Sequence, residues 1–138
     1  MLAYLDFLFL SYSGRIGRSA YWIGYLVLGV IELLIFWWLA SQSNGTFEQL
    51  AALDRGTLRS MAPQLLQDLL MHVFLPMAII ALLFMWPTYA LATKRWHDRG
   101  KSGWWSLIGF VPIIGALWMF IELGFLGGED GTNYYGYR

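Results

Sequence analysis

Three long apolar runs, separated by polar stretches, dominate the chain. Residues 21–40 are interrupted by one charge, Glu32; residues 69–93 carry no formal charge and one histidine, His72; residues 104–126 are interrupted only by Glu122. A helix rises 1.5 Å per residue, so about 20 mostly apolar residues cross a hydrocarbon layer about 30 Å thick. Each run meets that length and exceeds ordinary core strands. Lipid offers no water to backbone N–H and C=O groups, so such runs cross as helices that close their own hydrogen bonds. The pattern predicts an all-α polytopic membrane protein, a single membrane domain over residues 1–138 with three transmembrane helices near 21–40, 69–93 and 104–126.

The intervening stretches also have patterns. The first twelve residues, MLAYLDFLFLSY, have no positive charge before the apolar stretch, contain Asp6 and lack a small-residue cleavage site, so a secretory leader is not expected. They are too short to span and predict an interfacial helix lying on the membrane. The loop 41–68 reads as partly helical: Thr46 with Gln49 forms a capping box opening a short helix through Leu53, which Gly56 ends. Leu58, Met61, Leu65, Leu66 and Leu69 recur at helical spacing, with a bend at Pro63. Asn44-Gly45-Thr46 matches a glycosylation sequon but is read as turn chemistry.

Composition agrees with a lipid solvent. Hydrophobic residues make up 58% of the 138 and charged residues 13%, against about 25% charged in a soluble domain. Tyr21, Trp22, Trp37, Trp38, Trp96, Trp104 and Trp105 fall near the ends of the runs, where amphipathic rings suit the headgroup region. The net charge is zero, which leaves no basic excess for nucleic acid, and without Cys there is no thiolate or disulfide chemistry. Direction follows from Lys/Arg asymmetry: Arg15, Arg18, Lys94, Arg95, Arg99 and Lys101 lie on one side, Arg55, Arg59 and Arg138 on the other. The positive-inside rule places the N-terminus and the loop 94–103 in the cytoplasm, with the loop 41–68 and the C-terminus outside. Pro112, flanked by Gly109 and Gly115, leaves a competing arrangement in which the third run dips in and returns as a re-entrant hairpin, keeping the C-terminus inside.

Candidate chemistry is sparse. His97-Asp98 resembles the pair that names a metal-dependent phosphohydrolase superfamily, but a divalent metal needs three or four protein ligands, and the chain has two His and no Cys. Metal binding, cofactors and catalytic residues are therefore not expected. The blander account has Asp98 offsetting neighbouring cations and His97 donating to a backbone carbonyl at the helix end. Arg15 with Arg18, and Arg95 with Arg99, share helix faces and join Lys94 and Lys101 in a cytoplasmic cationic ring. Such a ring orients helices whatever else it does; alternatively it contacts anionic phospholipid or an acidic partner, with His97 and Asp98 beside it. Glu32, His72 and Glu122 are intramembrane polar residues, which commonly mark function. Counted at 1.5 Å per residue, Glu122 and His72 lie roughly 6 Å and 5 Å from the outer helix ends and are expected to pair. Glu32, roughly 12 Å deep, has no basic residue at its level and is expected to bond within the bundle or to a neighbouring copy.

Three local patterns complete the sequence: Ser13-Gly14-Arg15-Ile16-Gly17-Arg18-Ser19-Ala20-Tyr21-Trp22; Lys94-Arg95-Trp96-His97-Asp98-Arg99-Gly100-Lys101-Ser102-Gly103-Trp104-Trp105 with Pro112-Ile113-Ile114-Gly115; and Gly128-Glu129-Asp130-Gly131-Thr132-Asn133-Tyr134-Tyr135-Gly136. In order and spacing they resemble the bacterial YhaH-like family catalogued as domain of unknown function 805, over almost the whole chain. The longer outer loop, and Tyr134 where a basic residue is usual, depart from that pattern. The resemblance implies a small multi-pass protein of the bacterial inner membrane without an established biochemical activity. The expected role is a non-enzymatic accessory, scaffold or envelope component, with a homo-oligomer or another membrane protein as its partner. The alternative is a small oligomeric transport or channel subunit using Glu32, His72 and Glu122.

Overall fold

The computed structural model describes residues 2–42, 63–64, 66–68 and 70–137. The expected helices around Thr46 to Gly56, the sequon at Asn44 and the positions Leu58, Met61, Leu65 and Leu69 lie outside the described residues. Helix α1 covers Leu2–Phe9 and α2 covers Arg18–Gln42. A π-helical turn at Leu70–Phe74 leads into α3, Leu75–Asp98. A 3-10 helix, Gly103–Phe110, and α4, Ile114–Gly124, complete the helical elements. Among the described residues there is no strand, only an isolated bridge between Asn133 and Gly136.

Two helical stretches, Arg18–Ser41 and Leu66–Asp98, are long and apolar enough to cross a membrane. Their apolar side chains are mostly uncovered: Leu33 in α2 and Leu83 in α3 are each 67% exposed. A water-soluble core helix buries such residues, and a contiguous exposed apolar surface of this kind marks a lipid or partner face. The 33-residue stretch Leu66–Asp98 would measure roughly 50 Å, well beyond the ~30 Å hydrocarbon layer, so a crossing would not need its polar last turns from Lys94 onward.

The third apolar run does not form a single helix, so the third of the expected spans, over 104–126, is not confirmed. The chain reverses at Val111–Ile113. Ile113 has φ 64° and ψ −61°, and the Ile114 N–H donates to the Pro112 carbonyl at 2.6 Å, which together make a γ-turn of the rare, strained hand. Pro112 brings no backbone donor to this reversal. Gly115 completes it, because a Cβ there would collide with the Ile108 carbonyl oxygen. With 11 residues, α4 is roughly 16 Å long, about half of what a crossing needs. The 3-10 helix and α4 thus form the hairpin that Pro112, Gly109 and Gly115 had offered as the competing arrangement.

The chain divides into two compact units, one of Met1–Gly29 with Phe84–Arg138 and one of Val30–Leu83. In the first, Leu8, Ile16, Tyr21, Leu28, Leu91, Ala92, Trp96 and Leu123 form the core. Gly24 brings α2 against α3 there, since a Cβ would stand 2.9 Å from Leu91 Cδ2. The second unit contains Glu32, half-buried on α2, and His72, exposed on the π-helical turn, where its Nδ1 meets the carbonyl of Asp68 at 3.1 Å.

Candidate functional site

The last two turns of α3 hold the least expected feature of the structure. Lys94, Arg95 and Asp98 are each 0% exposed, although Lys, Arg and Asp are almost never fully buried without partners. Arg95 and Asp98 are three residues apart and share a helix face, where Arg95 Nη1 donates to Asp98 Oδ2. Arg95 Nε and Nη2 donate to the carbonyls of Leu123 and Leu126, which ties the C-terminal end of α4 to α3.

Arg15 approaches the same carboxylate from the segment between α1 and α2. Its Nε and Nη2 donate to Asp98 Oδ1 at 3.3 and 3.2 Å, and its remaining N–H groups meet the carbonyls of Gly131, Gly136 and Glu129. All five guanidinium donors are therefore used, within 5% exposure of the residue. The approach depends on glycine. Gly14 turns the chain at φ +88°, and Gly128 lets the tail pass over Asp98, whose carboxylate a Cβ would strike. The tail is fixed there by the Glu129 N–H donating to the Asp98 carbonyl at 2.7 Å.

Lys94 is held separately. Its ammonium donates to the carbonyls of Phe7, Leu8 and Ser11 at 2.6, 2.7 and 2.5 Å. Those carbonyls belong to the end of α1 and the turn after it, where carbonyls lack intrahelical partners and a cation suits the dipole. Burial pushes the Lys94 pKa down to about 8; the three carbonyls supply one acceptor for each ammonium proton.

His97 lies between the N-terminal segment and the tail. Its Nδ1 meets the Gly14 carbonyl at 3.1 Å, and its ring stacks on Tyr135 at 3.8 Å between centroids and 4° between planes. Burial holds its pKa below the ordinary value; the Gly14 carbonyl opposes that shift and the Lys94 charge adds to it. Asn133 Nδ2 donates to the His97 carbonyl and to Glu129 Oε2, each at 2.8 Å, while its Oδ1 accepts from the Tyr135 N–H at 2.9 Å.

Three of the remaining predicted residues, Arg99, Lys101 and Glu122, form a second cluster. Glu122 Oε1 accepts from Arg99 Nε and Nη2 at 3.2 and 2.9 Å and from Lys101 Nζ. Arg99 also donates to the Gly127 carbonyl, and Lys101 Nζ lies 5.3 Å from the Trp96 ring centroid. The expected pairing of Glu122 with His72 followed from depths counted along a spanning helix; within the first unit, chain reversal at Ile113 instead carries Glu122 to Arg99 and Lys101. Arg18 is exposed and donates to the Phe125 carbonyl at 3.1 Å.

The cationic ring expected at the surface is thus two different things. Arg15, Lys94 and Arg95 converge inside the protein around Asp98 and main-chain carbonyls, whereas Arg18, Arg99 and Lys101 reach the surface wholly or in part. Both Asp98 oxygens face guanidinium groups, so each carboxylate oxygen accepts from a fixed, charge-assisted donor. Among the described residues, no three His, Asp or Glu side chains group as a metal would require. Sequence reasoning missed the roles of Glu129, Gly131, Asn133 and Gly136; their turn-forming composition was visible, their carbonyl acceptors were not.

The three sequence patterns at 13–22, 94–105 and 128–136 therefore meet at one place. Similarity to known proteins extends over all three. Two inner membrane proteins of Escherichia coli (strain K12) are similar: YhaI, 29% identical with 93% of this chain and 85% of its own length covered, and YhaH, 24% identical with 93% and 86% covered. The uncharacterized protein YiiR of the same strain is 29% identical, with 91% and 84% covered. No solved structure matches. The family described as "Protein of unknown function (DUF805)" matches residues 9–137, from the end of α1 through the tail, and the chain belongs to that family.

Proposed function

We propose that the protein is a non-enzymatic accessory or scaffold component of the inner membrane, crossing it twice through α2 and α3. In this reading the hairpin of the 3-10 helix and α4 enters from the side that holds both termini. The observation that carries it is the closed network around Asp98. Arg15, before α2, is bonded to the end of α3 and to the tail after α4, so these three segments occupy one end of their unit. Arg15, Arg18, Lys94, Arg95, Arg99 and Lys101 lie in the segments bounding that end, which supports a cytoplasmic assignment for it. Their internal bonds support a structural use of charge rather than turnover.

Transport is the competing role, and it needs a polar path through the spanning helices. The engagement of Glu122 with Arg99 and Lys101 leaves Glu32 and His72 as its candidates. Purified protein in liposomes tests the two: a scaffold gives no proton or cation flux above protein-free liposomes at pH 6 or 7.5. Flux that disappears in Glu32→Ala would contradict it.

A further inference from the structure

Between α2, α3 and the hairpin, the first unit holds a half-open cavity of about 530 Å³, within the roughly 300–1,000 Å³ of small-molecule sites. Tyr21, Trp22 and Tyr25 form one wall, Thr88 and Tyr89 a second, and Phe120 a third. Among the described residues no charged side chain lines it; Thr88, Tyr21, Tyr25 and Tyr89 are its hydroxyl-bearing lining residues. The space is kept by small residues. A Cβ on Gly109 would stand 3.0 Å from Met119 Sδ and 3.5 Å from the Tyr89 hydroxyl, and Ala116 presents one methyl group on the hairpin wall.

Two observations define the occupant. The lining residues Tyr25, Leu117 and Phe120 are themselves exposed, beside the uncovered Ile23 and Leu26 of α2, so the cavity opens sideways onto the surface that hydrocarbon would cover. Its other boundary is cationic. Arg18 lies three and four residues before Tyr21 and Trp22, hence on their face of α2, and donates to the carbonyl of Phe125. The Phe125 ring packs against Trp22 and Phe120, with centroids 6.1 and 5.2 Å apart. Arg99 and Lys101 are engaged by Glu122, whereas Arg18 has no carboxylate partner among the described residues and is exposed. An uncharged slot open to lipid, with an exposed arginine one helical turn beyond its Tyr21–Trp22 wall, complements an apolar chain attached to a phosphate.

We infer that this cavity holds one hydrocarbon chain of an anionic phospholipid whose phosphate is met by Arg18. The inference rests on the membrane reading above, and its site lies apart from the buried Asp98 network.

The test uses the full chain, delipidated in a mild detergent and titrated with dioleoyl phosphatidylglycerol or dioleoyl phosphatidylcholine, with bound lipid counted by native mass spectrometry. One phosphatidylglycerol per chain is expected, held more tightly than phosphatidylcholine. Ala116→Phe fills the slot and should weaken phosphatidylglycerol about tenfold or more; Ala116→Leu, a smaller filling, should weaken it less while leaving thermal stability near wild type. Arg18→Gln should weaken phosphatidylglycerol about fivefold and phosphatidylcholine by less, because choline already offsets the charge of its phosphate. Unchanged affinity in both Ala116 variants, equal affinity for the two lipids in the wild type, or a second copy of the chain in place of lipid would each overturn the assignment. Detergent binding does not depend on which side the tail occupies, so failure here is distinguishable from failure of the two-span reading.

Discussion

Arg15 and Asp98 stand 83 positions apart in sequence and form a fully buried ion pair, with Arg15 Nη2 3.2 Å from Asp98 Oδ1. The same carboxylate holds Arg95, and around the three lie carbonyls from the end of α4 and from the tail. One anion therefore organises the N-terminal segment, the end of α3 and the C-terminal tail.

Removing that anion leaves two guanidinium groups buried together. Breaking a buried pair from one side costs about 3–5 kcal/mol, so Asp98→Asn should lower unfolding stability in detergent by about that amount. Arg15→Lys should fail to restore wild-type stability, because an ammonium has three donors where the site uses five. Thermal unfolding followed by intrinsic tryptophan fluorescence measures both; a change of less than about 1 kcal/mol would show that the pair behaves like an exposed one.

Lys94→Met should act more locally. It removes the cation from the carbonyls of Phe7, Leu8 and Ser11, and each buried carbonyl left unmatched costs about 1–3 kcal/mol. Detachment of α1 relieves that cost without unfolding the rest. Hydrogen exchange should rise sharply over residues 2–12 and little over residues 85–98; uniform acceleration would mean that α1 is integral to the whole unit.

Acid should weaken the fold through His97. Its folded pKa lies below the ordinary 6.5, so between those two values the unfolded chain binds more protons than the folded one, and stability rises with pH. The contribution is complete above 6.5 and is lost as pH falls through the folded pKa. The unfolding temperature should therefore drop between pH 7 and pH 5, and drop less in His97→Asn, which keeps a donor for Gly14 but does not titrate. An identical pH slope in the variant would assign the acid sensitivity elsewhere.

The structure also shows which kinds of information the sequence carries. Helices α2 and α3 follow from apolar runs of spanning length, and α1 from a shorter run at the N-terminus, because hydropathy and length are local properties. The hairpin defeats the same criterion: residues 104–126 have the length of a span, yet a γ-turn at Ile113 and the contact of Gly115 with the Ile108 carbonyl reverse the chain. The pairing expected for His72 and Glu122 rested on the same count of length. Arg95 and Asp98 are visibly neighbours on one helix, but Arg15 is not visibly their partner, and cations beside an apolar run ordinarily signal orientation rather than burial. The convergence of three separate sequence patterns around Asp98 is the physical content that spacing alone did not reveal.

The central claim is that the chain after α3 turns back and leaves the tail at the Arg15 end. The natural absence of Cys makes single-cysteine labelling clean, and Tyr134, 95% exposed with its ring edge-on to that of Tyr135, offers an accessible site on the tail. Tyr134→Cys should resist a membrane-impermeant maleimide in cells with a permeabilised outer membrane and should label fully in inside-out inner-membrane vesicles. Labelling in the cells and protection in the vesicles would place the tail in the periplasm and contradict the hairpin account.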